Sequence, residues 1–158
     1  MNLFITLGWA GTILYLLNHA YISLLQNYKR NIYFIGNAIA ATCVLACSIK
    51  LVSTQSVVIN LFWLIVSIAC LLDRPPVKIF AGRKILNATI VLLLMVALFW
   101  YPTAPPRVIN LIAWLSTFTF TFGYLLFSNQ QIAPRHYYFY NFLAALMIIT
   151  QLFIYQNF

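Results

Sequence analysis

The chain has 158 residues, of which 64% are hydrophobic and 6% charged; Asp73 is its single carboxylate, and the net charge is +8. Soluble domains draw roughly a quarter of their residues from charged types of both signs, so this composition excludes an ordinary water-soluble domain. It also excludes catalysis by paired carboxylates. The cations sit in short stretches between long apolar runs, a pattern that speaks of membrane topology and not of nucleic acid.

Six apolar segments are predicted, at residues 3–25, 31–52, 55–72, 85–101, 108–128 and 136–155. A run of about 20 apolar residues matches the hydrocarbon thickness of a bilayer as a helix, and a helix satisfies its backbone groups within the segment. The strand alternation of a transmembrane barrel is missing from runs such as 90–99. The predicted fold class is all-α, a polytopic bundle of six transmembrane helices. It divides into a three-helix unit (1–72), a basic cytoplasmic loop (73–84), a linker helix (85–101) and a two-helix partial repeat (102–158).

The first segment has no Lys or Arg ahead of it and does not read as a secretory signal. Thr12, Tyr15, His19, Ser23 and Gln26 follow one another at steps of three or four, which puts them on one helical face. His19 is the only ionisable side chain well inside a segment. It reads either as a proton-sensitive ligand or as a neutral imidazole bonded to a neighbouring helix, for example through Asn18 or Asn37. The second segment carries Tyr33, Asn37, Ala40, Ala41 and Cys47. Cys43 and Cys47 lack a His or carboxylate at metal-ligand spacing and read as packing residues, so no metal is expected. The third carries Ser56, Asn60, Trp63, Ser67 and Cys70. The fourth has no polar side chain from 90 to 99 and reads as a lipid-facing linker. The fifth carries Asn110, Trp114, Thr117, Thr121, Tyr124 and Ser128, and the sixth Tyr137, Asn141, Ala144, Ala145 and Gln151.

Lys29, Arg30, Arg74, Lys78, Arg83, Lys84 and Arg135 fall on one side of this arrangement; Lys50 and Arg107 fall on the other. The bias predicts both termini outside and the basic side cytoplasmic. Of these, Lys29, Arg30, Arg74, Lys78, Arg83 and Lys84 are expected to meet anionic lipid headgroups, each worth about 1 kcal/mol near the surface.

An internal repeat is also legible. Tyr33, Asn37, Ala40 and Ala41 match Tyr137, Asn141, Ala144 and Ala145, and Trp9, Thr12 and Ser23 match Trp114, Thr117 and Ser128 with a shift of one residue. Segments five and six then copy one and two in parallel, a plan used by transporters. A shorter alternative pairs 58–61 with 108–111, Val-Ile-Asn-Leu in both.

A three-helix unit, an isolated fourth helix and a repeat of the unit resemble the SWEET and PQ-loop membrane proteins, and residues 1–72 resemble their single-unit bacterial relatives. The residues that carry this are Gly8-Trp9, Tyr33 with Asn37, and the stretch from Ser56 to Trp63. The resemblance implies solute transport, with Asn60 facing a sugar and Trp63 near the position of a sugar-facing tryptophan. The family's Pro-Gln kink is replaced here by Asn18-His-Ala-Tyr21, and the second unit is two helices instead of three.

Polar side chains are costly in a bilayer and each needs a reason. Asn60 and Trp63 as outer ligands, Asn18, His19 and Asn37 as inner ligands, Tyr15 between them and Asn141 as the counterpart of Asn37 describe a polar cavity with an aromatic wall. Such a cavity suits a neutral sugar-like or amide-bearing solute. The expected function is facilitated passage of that solute, without enzymatic activity or cofactor, with a homodimer supplying missing walls, in a bacterial inner membrane. The alternatives are a non-transporting accessory subunit and a lipid-binding protein, the latter through a resemblance to the N-terminal domain of lipid A disaccharide synthase.

Overall fold

The computed structural model describes residues 3–25, 27–74 and 106–155. The described residues form five helices and no strand: α1 (Leu3–Leu24), α2 (Arg30–Lys50), α3 (Thr54–Leu71), α4 (Pro106–Ser128) and α5 (Pro134–Tyr155). Four of them are long and apolar enough to cross a membrane: α1, α2, α3 and, over Asn110–Ser128, α4. The predicted fourth segment, Gln26, Lys78, Arg83 and Lys84 lie outside the described residues.

Helix boundaries depart from the predicted ones by one or two residues, for identifiable reasons. α4 and α5 start two residues early because Pro106 and Pro134 open them; a proline needs no hydrogen-bond partner in the first turn, and its fixed φ suits the helix. α2, α3 and α4 all end on a residue with left-handed backbone and no glycine: Val52 (φ 55°), Asp73 (φ 54°) and Gln130 (φ 58°). Each cap is closed by a bond back to the last turn: Ser53 N–H donates to Ser48 O (3.0 Å), Arg74 N–H to Ala69 O (2.9 Å) and Gln131 N–H to Leu126 O (2.9 Å). Glycine is the usual residue at such a cap. Val52 is β-branched, where this conformation is least tolerated, and it is 83% exposed. Val52→Gly therefore relieves strain without losing packing, and thermal unfolding in detergent is expected to show a gain of about 1 kcal/mol.

α1 and α2 pack closely, α3 packs on α2, α4 on α3 and α5 on α4. α5 returns to α1, where Tyr138 Oη donates to His19 O (3.0 Å). α3 and α4 run parallel. Gln55 bonds Asn110 at the start of both helices (3.2 Å), and Cys70 meets the Ser128 carbonyl at the end of both (3.9 Å).

Unlike a soluble bundle, this one has an apolar exterior, and polar side chains are set among the apolar residues of its interior. Asn18, Asn37, Asn60, Ser67, Ser116 and Thr119 are buried, while Leu16, Leu17, Ile39, Ile65 and Phe118 are exposed. The face of α1 differs from the expected stripe. Its buried residues are Gly11, Asn18 and Ile22, while Thr12 and Ser23 are exposed and bond the carbonyls of Gly8 (2.9 Å) and Ala20 (3.0 Å). A hydroxyl bonded to its own helix is satisfied locally and needs no polar neighbour, so spacing alone overstated the width of the inward face.

A central polar and aromatic cluster as the candidate functional site

Trp63, 6% exposed on α3, is the centre of the bundle. Tyr15 of α1 meets its ring edge-on at 5.0 Å and 84°, and Phe120 of α4 does the same at 6.0 Å and 76°. His19 of α1 lies tilted against it at 6.5 Å and 30°, and Tyr124 of α4 at 5.2 Å and 36°. The offset of the repeat, Trp9 to Trp114, carries Tyr15 onto Phe120 and His19 onto Tyr124. Trp63 thus receives matching contacts from matching positions of α1 and α4. The helix pairs match as well: Gly36 of α2 accepts Asn18 of α1, and Gly123 of α4 accepts Tyr140 of α5. The large and small partners are exchanged at equivalent places.

Hydrogen bonds tie this centre together. His19 Nδ1 lies 2.9 Å from the Tyr15 carbonyl, which only accepts, so Nδ1 carries a proton and donates. Nε2 of the neutral ring is then an acceptor, and Asn141 Nδ2 donates to it at 3.0 Å. The sequence named Asn18 or Asn37 as possible partners of this imidazole; the structure supplies Asn141 from α5 instead, because α5 closes the ring of helices against α1. Tyr15 Oη donates to Asn60 Oδ1 (2.9 Å), and Asn60 Nδ2 donates to Ser56 O (2.7 Å). Both ends of Asn60 are occupied by helix-to-helix and within-helix bonds. Asn18 Nδ2 donates to the Tyr33 carbonyl (2.8 Å).

Ser67 fixes the other half. Its hydroxyl donates to Trp63 O (2.6 Å), so its lone pairs are left to accept from Tyr124 Oη (2.7 Å) and Asn37 Nδ2 (3.3 Å). The Asn37 amide has no alternative orientation, since a flipped carbonyl oxygen would face a hydroxyl with no hydrogen left. Asn141 is fixed by the same logic through His19. Both amides therefore turn their carbonyl oxygens away from these partners. Asn37 Oδ1, Asn141 Oδ1 and Trp63 Nε1 are buried and make no hydrogen bond.

Of the residues expected to form a site, Tyr15, His19, Asn60, Trp63, Asn37 and Asn141 belong to this one cluster; Asn18 sits at its edge, between α1 and α2. Sequence reasoning did not assign site roles to Ser67, Tyr124, Tyr33, Tyr137 or Tyr138. Ser67 and Tyr124 lay on the polar stripes, and Tyr33 with Tyr137, whose hydroxyls bond at 3.3 Å, were the first match of the repeat. Tyr138 left no signal, because its partner is a backbone carbonyl.

Four cations of the described residues gather at one end of the bundle: Lys29 and Arg30 where α2 starts, Arg74 after α3 and Arg135 in the first turn of α5. Lys50 lies at the other end. A cleft of about 390 Å³ opens at the cationic end, lined by Tyr28, Arg30, Phe127, Gln130 and Ile132 among others. A second cleft, of about 400 Å³, lies at the opposite end between α1, α2 and the start of α3, lined by Trp9, Thr12, Cys47 and Ser56 among others.

The model of one uncharacterised protein family matches residues 4–75, which span α1, α2 and α3 and make up less than half of the chain. No curated protein and no solved structure matches the chain.

Proposed function

We propose that the chain is a six-span membrane permease of SWEET-like plan, with both termini outside, that lets a neutral small solute cross between its helices. The observation that carries this reading is the trio of unpartnered polar atoms at the centre, two amide oxygens and one indole N–H. A buried polar group without a bond costs about 1–3 kcal/mol, and three in one cluster are sensible where a solute passes. Two acceptors and a donor, with no carboxylate among the described inward-facing residues, suit an uncharged sugar-like or amide-bearing solute. The apolar exterior of the bundle and the four cations gathered at one of its ends support a membrane setting with that end cytoplasmic. The resemblance of residues 1–72 to bacterial single-unit proteins supports a bacterial inner membrane. The parallel run of α3 and α4 supports a crossing by the fourth apolar segment, since the chain between them has to return to the end at which α4 starts.

Flux of radiolabelled glycerol, glucose, urea and acetamide into proteoliposomes tests the reading. Trp63→Phe keeps an aromatic ring and removes the N–H, and is expected to slow the transported solute about tenfold, as for loss of one bond worth about 1.4 kcal/mol. Absence of flux for the whole panel, or flux unchanged in both Trp63→Phe and Asn37→Leu, rejects it. The saturated bonds of Asn60 and Ser67 favour a second reading, a non-transporting accessory subunit in which the cluster is only a tie. A stoichiometric second protein retained through purification, with no flux, would select that reading.

A further inference from the structure

We propose that the cleft at the cationic end is a seat for the headgroup of one anionic phospholipid, with Arg30 as its charged anchor. This rests on the membrane reading above but not on transport.

Arg30 is half-buried, and the partners that the structure gives its guanidinium are all uncharged. Nη2 donates to the Ser128 carbonyl and lies 4.0 Å from Cys70 Sγ, and the group sits 5.1 Å from the centre of the Phe34 ring. A guanidinium has five N–H donors, so donor capacity remains beyond these contacts on a group that lines the cleft. Asp73, the chain's one carboxylate, is exposed beyond the end of α3, outside the lining of this cleft. A partly buried cation without a counter-ion is costly and is stabilised by an incoming anion.

The surroundings select the kind of anion. α2 begins at Arg30, its N-cap Lys29 makes no side-chain cap bond, and neither α2 nor α5 has an acidic residue in its first turn. These two helix N-termini lie beside the C-termini of α1, α3 and α4, so the net positive potential at this end comes from the side-chain cations and not from the helix dipoles. Lys29, Arg74 and Arg135 are exposed around it. Phe127, Ile132 and Ala133 form the apolar part of the wall, and Leu24, Leu25 and Leu72 are exposed at the same end. A cleft lined by a cation, amides and hydrocarbon side chains together fits a phosphate joined to acyl chains better than a free ion. Tyr28 also lines it, and its burial pushes its phenol above the ordinary value, so the hydroxyl stays protonated as a donor.

Native mass spectrometry of the full chain, from detergent containing equal amounts of phosphatidylglycerol and phosphatidylcholine, tests the proposal. Selective retention of one phosphatidylglycerol, about tenfold over phosphatidylcholine, is expected. Arg30→Gln should bring the two lipids to parity. Gln130→Glu should do the same by another route, placing a carboxylate in the cleft at an exposed position. Lys50→Gln, at the opposite end, should keep the full selectivity. Equal retention in the wild-type protein overturns the proposal, as does selectivity unchanged in both Arg30→Gln and Gln130→Glu. Full displacement of the lipid by millimolar inorganic phosphate also overturns it, by marking a free-anion site. Selectivity without flux leaves this seat standing and rejects the permease, while flux without selectivity does the reverse.

Discussion

Gly11→Ala is expected to destabilise the bundle by about 2 kcal/mol, near the middle of the range for forcing a methyl into a packed contact. A Cβ built at Gly11 would lie 2.7 Å from Val44 Cγ2, 2.9 Å from Cys43 Cβ and 2.8 Å from the Ala40 carbonyl oxygen. The last of these is backbone on the facing helix, so relief requires α1 and α2 to separate. Without a hydrophobic drive between helices in lipid, close contact at small residues is what holds such pairs together. Gly8 provides the control. A Cβ there would lie 2.7 Å from Cys47 Sγ, a side chain that can turn aside or be shortened. Thermal unfolding in detergent should therefore rank Gly11→Ala well below Gly8→Ala. Cys47→Ala should rescue Gly8→Ala and leave Gly11→Ala unimproved. Equal losses at the two glycines would mean that the α1–α2 spacing is not set at Gly11.

Replacing Trp63 should separate the packing of the centre from its chemistry. Trp63→Ala removes a ring touched by Tyr15, His19, Phe120 and Tyr124. Loss of a core aromatic costs about 3–5 kcal/mol through lost contacts and the cavity left behind. The edge-on and tilted contacts come from both α1 and α4, so the loss should also loosen one helix pair from the other. Trp63→Phe is expected to cost about 1–2 kcal/mol, less than Trp63→Ala, because the smaller ring keeps most of the contacts and leaves only part of the volume unfilled. The indole N–H has no partner in the resting structure, so its removal takes no bond from the fold. A small change in stability joined to a large loss of flux assigns the N–H to the solute. A large loss of stability in Trp63→Phe would instead mean that the N–H supports the fold through a bond the resting structure lacks.

The long helices were legible because apolar run length is set by the thickness of hydrocarbon, a property read residue by residue. α3 was the clearest case: Asn60, Trp63, Ser67 and Cys70, spaced at three and four, are all buried. α1 was the least clear. Its hydroxyls occupy the same spacing as its inward residues, and a hydroxyl satisfied by its own helix carries no information about direction. The match of Tyr33 and Asn37 with Tyr137 and Asn141 was visible as text. That Trp63 stands between the matching contacts of α1 and α4 was not, because α3 has no copy among the matched segments.

Composition and charge order determined, without any coordinates, that long apolar helices make up the described residues and that four of their cations, Lys29, Arg30, Arg74 and Arg135, lie at one end. Those features follow from local chemistry, the free energy of placing each side chain in water or in hydrocarbon. Which amide bonds which ring was decided only in three dimensions. Asn141 reaches His19 from 122 positions away, and its carbonyl points elsewhere only because that imidazole already gives its one proton to the Tyr15 carbonyl. Such choices depend on how many donors and acceptors a shared space holds, and that count exists only once the helices have come together.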